Sequence, residues 1–186
     1  MKNLDQDIKS VVVSKERIEE ICQTLGEQIT KDYRDKDLIC IGLLKGCSFF
    51  MTDLLKHVDT HLEIEYMDVS SYHGSTESTG EVKINLDLSR SVEGKDLLIV
   101  EDIVETGTTL NSIIDLLTYR KAKSIEIVTL LDKPNRRKIP MTPKYIGETI
   151  PDEFVVGYGL DYNENYRNMD YIGLLLSLIH ISEPTR

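Results

Sequence analysis

Residues 97–109 read LLIVEDIVETGTT, and this stretch decides the fold class. Its four leading apolar residues, Leu97 to Val100, form the pattern of a buried parallel strand. Two adjacent carboxylates, Glu101 and Asp102, follow, and the small residues 106–109 then open a segment with helical spacing. A buried strand that runs through a short turn into a helix is typical of an α/β protein.

Segments on either side of this stretch repeat the alternation of strands and helices. Helices are predicted after Ser14, over residues 49–58 and from Leu110. The Ser, Thr and Gly content of residues 70–80 predicts a loop. Strands are predicted at 38–44, 62–69, 82–88, 125–131, 145–150 and 154–158. This order predicts a mostly parallel, twisted sheet flanked by helices, with ligands at the carboxyl ends of its strands.

The bulk composition narrows the classes of protein. A chain of 186 residues suits one domain, and its formal net charge of −10 disfavours nucleic acid as a partner. No apolar run reaches the roughly 18 residues that cross a bilayer, and Met1 to Ser10 lack a signal-peptide core, so we expect a cytoplasmic protein without a membrane partner. Cys22, Cys40 and Cys47 lack metal-like spacing, which predicts reduced, mostly buried thiols.

The turn at residues 106–109 suits a phosphate monoester. Amide groups at a helix N-terminus are unpaired and partly positive, and Gly107 permits a close approach of the backbone. Thr106, Thr108 and Thr109 add hydroxyl donors. The turn is not a P-loop, because its glycine spacing differs and no Lys precedes the Thr pair.

The carboxylates of Glu101 and Asp102 have two uses beside a phosphate. They accept hydrogen bonds from two neighbouring ribose hydroxyls, or they hold Mg²⁺. The alternative interpretation is an acidic strand end that precedes an ordinary capped helix.

The stretch 97–109 resembles the phosphoribosyl pyrophosphate signature of the type I phosphoribosyltransferases. Four further stretches resemble the bacterial-type 6-oxopurine branch of that family, the hypoxanthine-guanine phosphoribosyltransferases. They are LLKG (43–46), SSYHG (70–74), LLDKP (130–134) and IPDEFVVGYGLDYNENYR (150–167). The resemblance implies the type I phosphoribosyltransferase fold, a single domain over residues 1–175 with a small hood formed by the N- and C-terminal segments.

The resemblance also implies an activity in purine salvage. A Mg²⁺-dependent transferase would move the 5-phosphoribosyl group from phosphoribosyl pyrophosphate to hypoxanthine or guanine, giving IMP or GMP and pyrophosphate. The ranking of hypoxanthine, guanine and xanthine stays open, and a homodimer or homotetramer is expected. The alternative is a regulatory binding protein on the same fold, which the acidic surface and the lack of spare length disfavour.

The resemblance places one set of residues around phosphoribosyl pyrophosphate. Residues 105–109 would surround the 5-phosphate. Lys45 and Gly46 would form a pyrophosphate loop, in which the Leu44–Lys45 peptide bond is often cis in this family. Arg167 would also contact pyrophosphate. A solvated surface charge is the alternative for Lys45 and Arg167. The full set is Lys45, Gly46, Glu101, Asp102, Thr106, Gly107, Thr108, Thr109 and Arg167.

A second set by resemblance contacts the purine: Lys133, Phe154, Val155 and Asp161. Lys133 would donate to O6 and so select 6-oxopurines, since a buried donor that faces an amino group is left unpaired at a cost of roughly 1–3 kcal/mol. Phe154 would stack on the ring, with plain core packing as the alternative. Backbone groups near Val155 and Asp161 would contact the other ring edges.

Metal ligands and a closing loop complete the implied site. Glu101, Asp102 and Asp161 would contact Mg²⁺. Ser71 and Tyr72 would belong to a loop that closes and excludes water from an oxocarbenium-like centre.

Two features depart from the family pattern. The expected general base is an aspartate, but this chain carries Glu105, which adds about 1.5 Å of reach. Three explanations stay open: a shifted backbone, a slow enzyme, or a single-base change in the source sequence.

Residues 176–186, LSLIHISEPTR, resemble the translation of a transposon-end adaptor used in DNA library preparation. We therefore expect a non-native tail in which Glu183 to Arg186 are exposed.

Overall fold

The computed structural model describes residues 4–71 and 82–176 of the chain. Short 3-10 helices occur at Leu4–Asp7 and Pro134–Arg136. The main elements are β1 (Ile8–Val13), α1 (Lys15–Asp32), β2 (Leu38–Leu44), α2 (Ser48–Leu55), β3 (Leu62–Ser71), β4 (Val82–Leu86), β5 (Asp96–Val104), α3 (Thr108–Tyr119), β6 (Ser124–Asp132), β7 (Tyr145–Thr149), β8 (Val155–Val156) and β9 (Ile172–Leu175).

Six strands form the central sheet in the order β4-β3-β2-β5-β6-β7. All neighbours are parallel except β4, which runs antiparallel to β3. The chain proceeds outward from β2 on one side and from β5 on the other, so the strand order reverses between these two. The mostly parallel sheet of the sequence prediction is confirmed, and the β2–β5 boundary is where such sheets bind ligands.

Helices cover both faces of this sheet and explain its continuous apolar strands. Leu38 and Cys40 of β2 share one core cluster with α1 and α2. Ile39 and Ile41 of the same strand share the other cluster with α3. Successive side chains of a strand point to opposite faces, so a strand buried on both faces must be apolar at every position.

Helix α1 begins where the sequence predicts. Ser14 adopts an extended backbone, and its hydroxyl accepts a 3.2 Å hydrogen bond from the Arg17 backbone N–H. This bond satisfies one of the unpaired amide groups of the first turn. The buried face of the helix, which includes Ile18, Cys22 and Ile29, then follows the predicted helical spacing.

A second, antiparallel sheet has the order β1-β9-β8 and joins the N- and C-terminal segments. It corresponds to the predicted hood. Strand β1 was not predicted from the sequence. It is only six residues long, and it forms by pairing with β9, which lies more than 150 residues away. Beyond β9, the Leu176 backbone N–H donates to the Asp7 carbonyl over 2.9 Å, and residues 177–186 of the expected tail lie outside the described residues.

Several predicted boundaries are wrong. Strand β4 ends at Leu86 and not at residue 88, and β8 covers only Val155–Val156 of the predicted 154–158. Strand β5 continues to Val104 instead of ending before the acidic pair, because β6 keeps pairing with it, opposite Glu101 and Ile103. The loop predicted at 70–80 begins later, since Ser70 and Ser71 still pair with β4; residues 72–81 lie outside the described residues. Helix α2 ends at Leu55, three residues before the predicted boundary at residue 58.

All three cysteines are free and buried, as the sequence predicts. Burial raises the pKa of each thiol, those of Cys22, Cys40 and Cys47, to about 12, so none ionises near neutral pH.

None of the helices in the described ranges has the length and apolar character needed to cross a bilayer.

Candidate active site

The loop after β2 meets the acidic pair of β5 at the point where the strand order reverses. The Leu44–Lys45 peptide bond is cis, as the resemblance implied. A Cβ atom on Gly46 would lie 1.7 Å from Oδ2 of Asp102, so only glycine fits against this carboxylate. The predicted pyrophosphate loop and the predicted ribose-binding acids are therefore in direct contact.

The two acidic residues near the end of β5 are adjacent in the strand, and the charge of Asp102 acts on Glu101. The pKa of Glu101 lies well above its ordinary value because of burial and, second, because of the neighbouring Asp102 charge. Burial also raises the pKa of Asp102 to about 6, although the Ile103 backbone N–H donates to its Oδ1 over 2.8 Å. Both residues keep part of their surface exposed, so hydroxyl donors or a cation can reach them from solvent.

The turn that follows β5 encloses a cavity of about 230 Å³. Gly107 has a left-handed φ of 80° immediately before α3, a conformation that glycine adopts without strain. The N-cap residue Gly107 has no side chain to cap this N-terminus, so amide groups of the first turn after Thr108 remain available to an anion. Residues that line the cavity include Glu101, Glu105, Thr106, Gly107 and Thr109. Thr108 lies in the same turn, where its backbone N–H approaches the Thr106 hydroxyl at 3.4 Å.

Glu105, the predicted base, and Lys133, the predicted purine contact, are brought together. The Lys133 ammonium donates to Oε1 of Glu105 over 2.6 Å, and the lysine side chain is only 5% exposed. A second cation, Arg136, lies 3.9 Å from the other carboxylate oxygen. The carboxylate at this position is therefore held by the same ammonium that is expected to donate to the purine.

The predicted pyrophosphate cations, Lys45 and Arg167, both form ion pairs, but the Lys45 side chain is 64% exposed and that of Arg167 only 23%. The Lys45 ammonium lies 2.8 Å from Oε2 of Glu164. Arg167 donates to the Gly159 carbonyl over 2.6 Å and lies 2.9 Å from Oδ1 of Asp161 and 3.3 Å from Oε1 of Glu164. One glutamate thus bridges both cations, and the solvated-charge interpretation does not describe Arg167.

Asp161, the third predicted metal contact, already has partners in this structure. One oxygen pairs with Arg167, and the other accepts the Glu164 backbone N–H over 2.8 Å. Its charge raises the pKa of Asp102, which places the two carboxylates within electrostatic range. Across residues 4–71 and 82–176, no three His, Cys, Asp or Glu side chains are grouped as ligands for one metal ion.

The other predicted purine contacts lie around β8. Phe154 is 45% exposed and meets Tyr162 edge to face, with ring centroids 5.8 Å apart, so core packing does not explain this residue. Val155 is buried and pairs with Leu174 of β9. Of the predicted closing-loop residues, Ser71 ends β3, and Tyr72 lies outside the described residues.

Three residues near the site were missed by sequence reasoning: Glu164, Arg136 and Arg137. Glu164 lies in a segment with unusual backbone angles, and its own φ is 63°. The adjacent arginines follow Lys133 within four residues, a cluster of cations that is uncommon in so acidic a chain. That clustering was the available signal, although it gave no indication of what each arginine contacts.

Comparisons with known proteins agree with this geometry. Residues 12–163 match the phosphoribosyl transferase domain family. A hypoxanthine-guanine phosphoribosyltransferase of Staphylococcus aureus strain Mu50 is 63% identical over 172 residues, which cover 92% of this chain and 96% of that protein.

Solved structures give the same result. A hypoxanthine phosphoribosyltransferase from Staphylococcus aureus has a TM-score of 0.92 at 59% identity, covering 99% of this chain and 100% of that one. A glutamic acid mutant, from an analysis of an invariant aspartic acid in HPRTs, has a TM-score of 0.89 at 34% identity, covering 94% and 99%. The chain therefore belongs to the phosphoribosyl transferase family, in its hypoxanthine-guanine phosphoribosyltransferase branch.

Proposed function

We propose that this chain transfers the 5-phosphoribosyl group from phosphoribosyl pyrophosphate to hypoxanthine or guanine, giving IMP or GMP and pyrophosphate. The observation that carries the proposal is the contact of Gly46 with Asp102 beside the cavity of residues 101–110. That contact joins a loop suited to pyrophosphate, a carboxylate suited to ribose hydroxyls and a turn suited to a phosphate. The 63% identical relative carries the name of this activity.

Phosphoribosyl pyrophosphate would lie across the boundary between β2 and β5. Amide groups and hydroxyls of residues 106–109 would hold its 5-phosphate, with Glu101 and Asp102 accepting from the ribose hydroxyls. Lys45 and Arg167 both pair with Glu164 in this structure. When pyrophosphate binds, it would replace Glu164 as the partner of these two cations. The fork of donors on arginine matches a phosphate group well.

The purine would lie between Phe154 and Lys133. Phe154 is exposed enough to stack on the ring, and the enclosed Lys133 ammonium would donate to O6. Backbone groups near Val155 and Asp161 would bind the remaining ring edges. Glu105 would accept the proton from N7 as a purine nitrogen attacks C1 of the ribose.

The pairing of Glu105 with Lys133 supports a working carboxylate base at this position, whichever backbone the glutamate requires. The longer side chain reaches the ammonium at 2.6 Å. A carboxylate held by a neighbouring cation is oriented, which a base requires. Binding of O6 to the same ammonium would then loosen the carboxylate at the moment when the base is needed.

Mg²⁺ fits the donors at the end of β5. This ion takes one or two carboxylates and completes its shell with water and substrate phosphates, so a preformed cage of three ligands is not needed. Glu101 and Asp102, both half-buried, have the required chemistry, and the charge of Asp161 acts on Asp102. When bound, Mg²⁺ neutralises the charge of the departing pyrophosphate.

We propose a cytoplasmic homodimer or homotetramer, which light scattering coupled to size exclusion would test. We also propose that residues 1–175 form the single domain and that residues 176–186 are a non-native tail. Strand β9 ends at Leu175, and Leu176 is 51% exposed, which supports a boundary at this point.

A base-screening assay tests the activity. Purified protein, phosphoribosyl pyrophosphate and hypoxanthine should form IMP when Mg²⁺ is present, and a chelator should stop the reaction. Asp102→Asn should reduce turnover strongly, whereas Asp170→Asn, at an exposed pair with Lys15, should not. A folded sample that forms no nucleotide from hypoxanthine, guanine or xanthine would contradict the proposal.

A further inference from the structure

The Arg137 side chain is buried at the junction between the ends of β5 and β6. Only 12% of it is exposed, and its charge pairs with Asp132, whose side chain is 6% exposed. The family resemblance gives Arg137 no role, and the residue lies outside the phosphate, pyrophosphate and purine sets. A buried arginine needs partners for its donors, and the identity of these partners shows what it holds.

Those partners are backbone carbonyls of the two segments that carry Glu105 and Lys133. Nη1 donates to the Val104 carbonyl over 2.8 Å and to the Glu105 carbonyl over 2.5 Å, and it lies 3.4 Å from the Lys133 carbonyl. Nη2 donates to Asp132, the last residue of β6. One guanidinium therefore bonds to the main chain at both residues of the Glu105–Lys133 pair.

Other bonds strengthen this junction and place Arg137 at its centre. The Lys133 backbone N–H donates to the Val104 carbonyl over 3.0 Å, so that oxygen accepts from both segments. Nε of Arg137 donates to the Met141 carbonyl over 3.3 Å, which fastens the following loop as well. The planar guanidinium of Arg137 thus donates hydrogen bonds in several directions and links the segments that meet at this junction.

We propose that Arg137 is a positioning residue that fixes Glu105 and Lys133 relative to each other, and so sets how the site binds and deprotonates the purine. This inference rests on the proposed function. Misplacement of a reacting group by about 1 Å costs on the order of 100-fold in rate. The Glu105–Lys133 pair is separated by 2.6 Å, a distance that small backbone shifts on either side would change.

The phosphate turn is held by backbone hydrogen bonds that are separate from those of the Arg137 side chain. The Thr106 carbonyl accepts the backbone N–H groups of Lys138 and Ile139 over 3.0 and 3.2 Å. These bonds do not involve the Arg137 side chain. Loss of the guanidinium should therefore disturb the purine side of the site and leave the phosphate side in place.

Lysine cannot substitute for this arginine. Its ammonium is a compact charge with three donors on one atom, so it can keep the pair with Asp132 but cannot also reach carbonyls on two segments. Arg137→Lys therefore keeps the charge and removes the bridge. Arg120→Lys is the matched control, because Arg120 also pairs with a carboxylate, through two 2.6 Å bonds to Asp87, away from the site.

The experiment measures kcat and the two KM values for wild type, Arg137→Lys and Arg120→Lys, with the folded fraction of each taken from thermal unfolding. For Arg137→Lys we expect kcat/KM for hypoxanthine to fall about 10- to 100-fold, with KM for phosphoribosyl pyrophosphate within about twofold of wild type. Arg120→Lys should match wild type in all three constants.

Unchanged kinetics in Arg137→Lys would overturn the proposal, and so would equal losses for both substrates or a loss that follows only the folded fraction. If Arg137→Lys does not fold, Asp132→Asn provides the second variant, since it weakens the anchor of Nη2 while keeping an oxygen acceptor. It should shift the purine constants in the same direction, and no shift would overturn the proposal. An inactive wild type would instead refute the proposed function.

Discussion

Lys133→Met is the sharpest perturbation of the purine site. Methionine is close to lysine in length and volume, so the change removes the ammonium and little else. The side chain is only 5% exposed, which leaves almost no room for water to replace the lost donor. A hydrogen bond from a charged donor contributes about 1.5–3 kcal/mol, and each 1.4 kcal/mol is tenfold, so KM for hypoxanthine should rise about 10- to 150-fold.

The assay follows initial rates while each substrate is varied at saturation of the other. KM for phosphoribosyl pyrophosphate should change less than about twofold, because the Lys133 ammonium donates to the side chain of Glu105, the assigned base, and not to the threonine hydroxyls of the phosphate turn. Lys121→Met is the matched control, since Lys121 is 74% exposed and pairs with Glu93 at 3.3 Å. That variant should behave as wild type.

Loss of the ammonium should also weaken the preference for 6-oxopurines. Adenine presents an amino group at C6, which faces the ammonium unfavourably in wild type and meets an apolar methyl in the variant. The ratio of kcat/KM for hypoxanthine to that for adenine should therefore fall. Equal increases in KM for both substrates, or an unchanged ratio for the two bases, would refute the assignment of Lys133 to O6.

Three further outcomes are expected. Glu105→Asp should raise kcat if an aspartate is the better base, and steady-state rates with an unchanged or lower kcat would show that the site has adapted to glutamate. Deletion of residues 177–186 should change Tm by less than about 2 °C and preserve kcat, since β9 ends before them; a large loss in a melting scan would count against a non-native tail. Bonds from Ser89 lower the pKa of Glu65 from its usual 4.5, so its stabilisation is present above that pH and lost on acidification. Glu65→Gln should therefore lower Tm by about 2–4 °C at pH 7, with a difference that shrinks below pH 4.5, as pH-dependent calorimetry would show.

Local sequence determined most of the fold. The runs 38–44 and 97–100 lack polar side chains, and the run 125–131 is apolar except at Glu126 and Thr129. Such runs are typical of a parallel sheet that is covered on both faces. Ser14 and the apolar spacing after it fixed the start of α1 in the same way. These features depend on neighbours within one turn or one strand, so the sequence displays them directly.

Strand β1 shows where this reasoning stops. Residues 8–13 pair with β9 across almost the whole chain, and no local pattern records a partner that distant. The end of β5 is similar, because its last four residues stay in the strand only through continued pairing with β6. Long-range backbone pairing decides such boundaries, and it exists only after the chain has folded.

The candidate site shows the same distinction between what local sequence indicates and what long-range packing determines. The sequence alone supplied the residue types: a phosphate turn with Gly107, the acidic pair before it, and the lysine and aromatic residue of the purine region. Tertiary structure decided their partners. It set the Glu105–Lys133 pair at 2.6 Å and placed Arg137 between carbonyls at the ends of β5 and β6. Hydrogen bonds of this kind depend on distances of a few tenths of an ångström between segments remote in sequence, which only the packed fold determines.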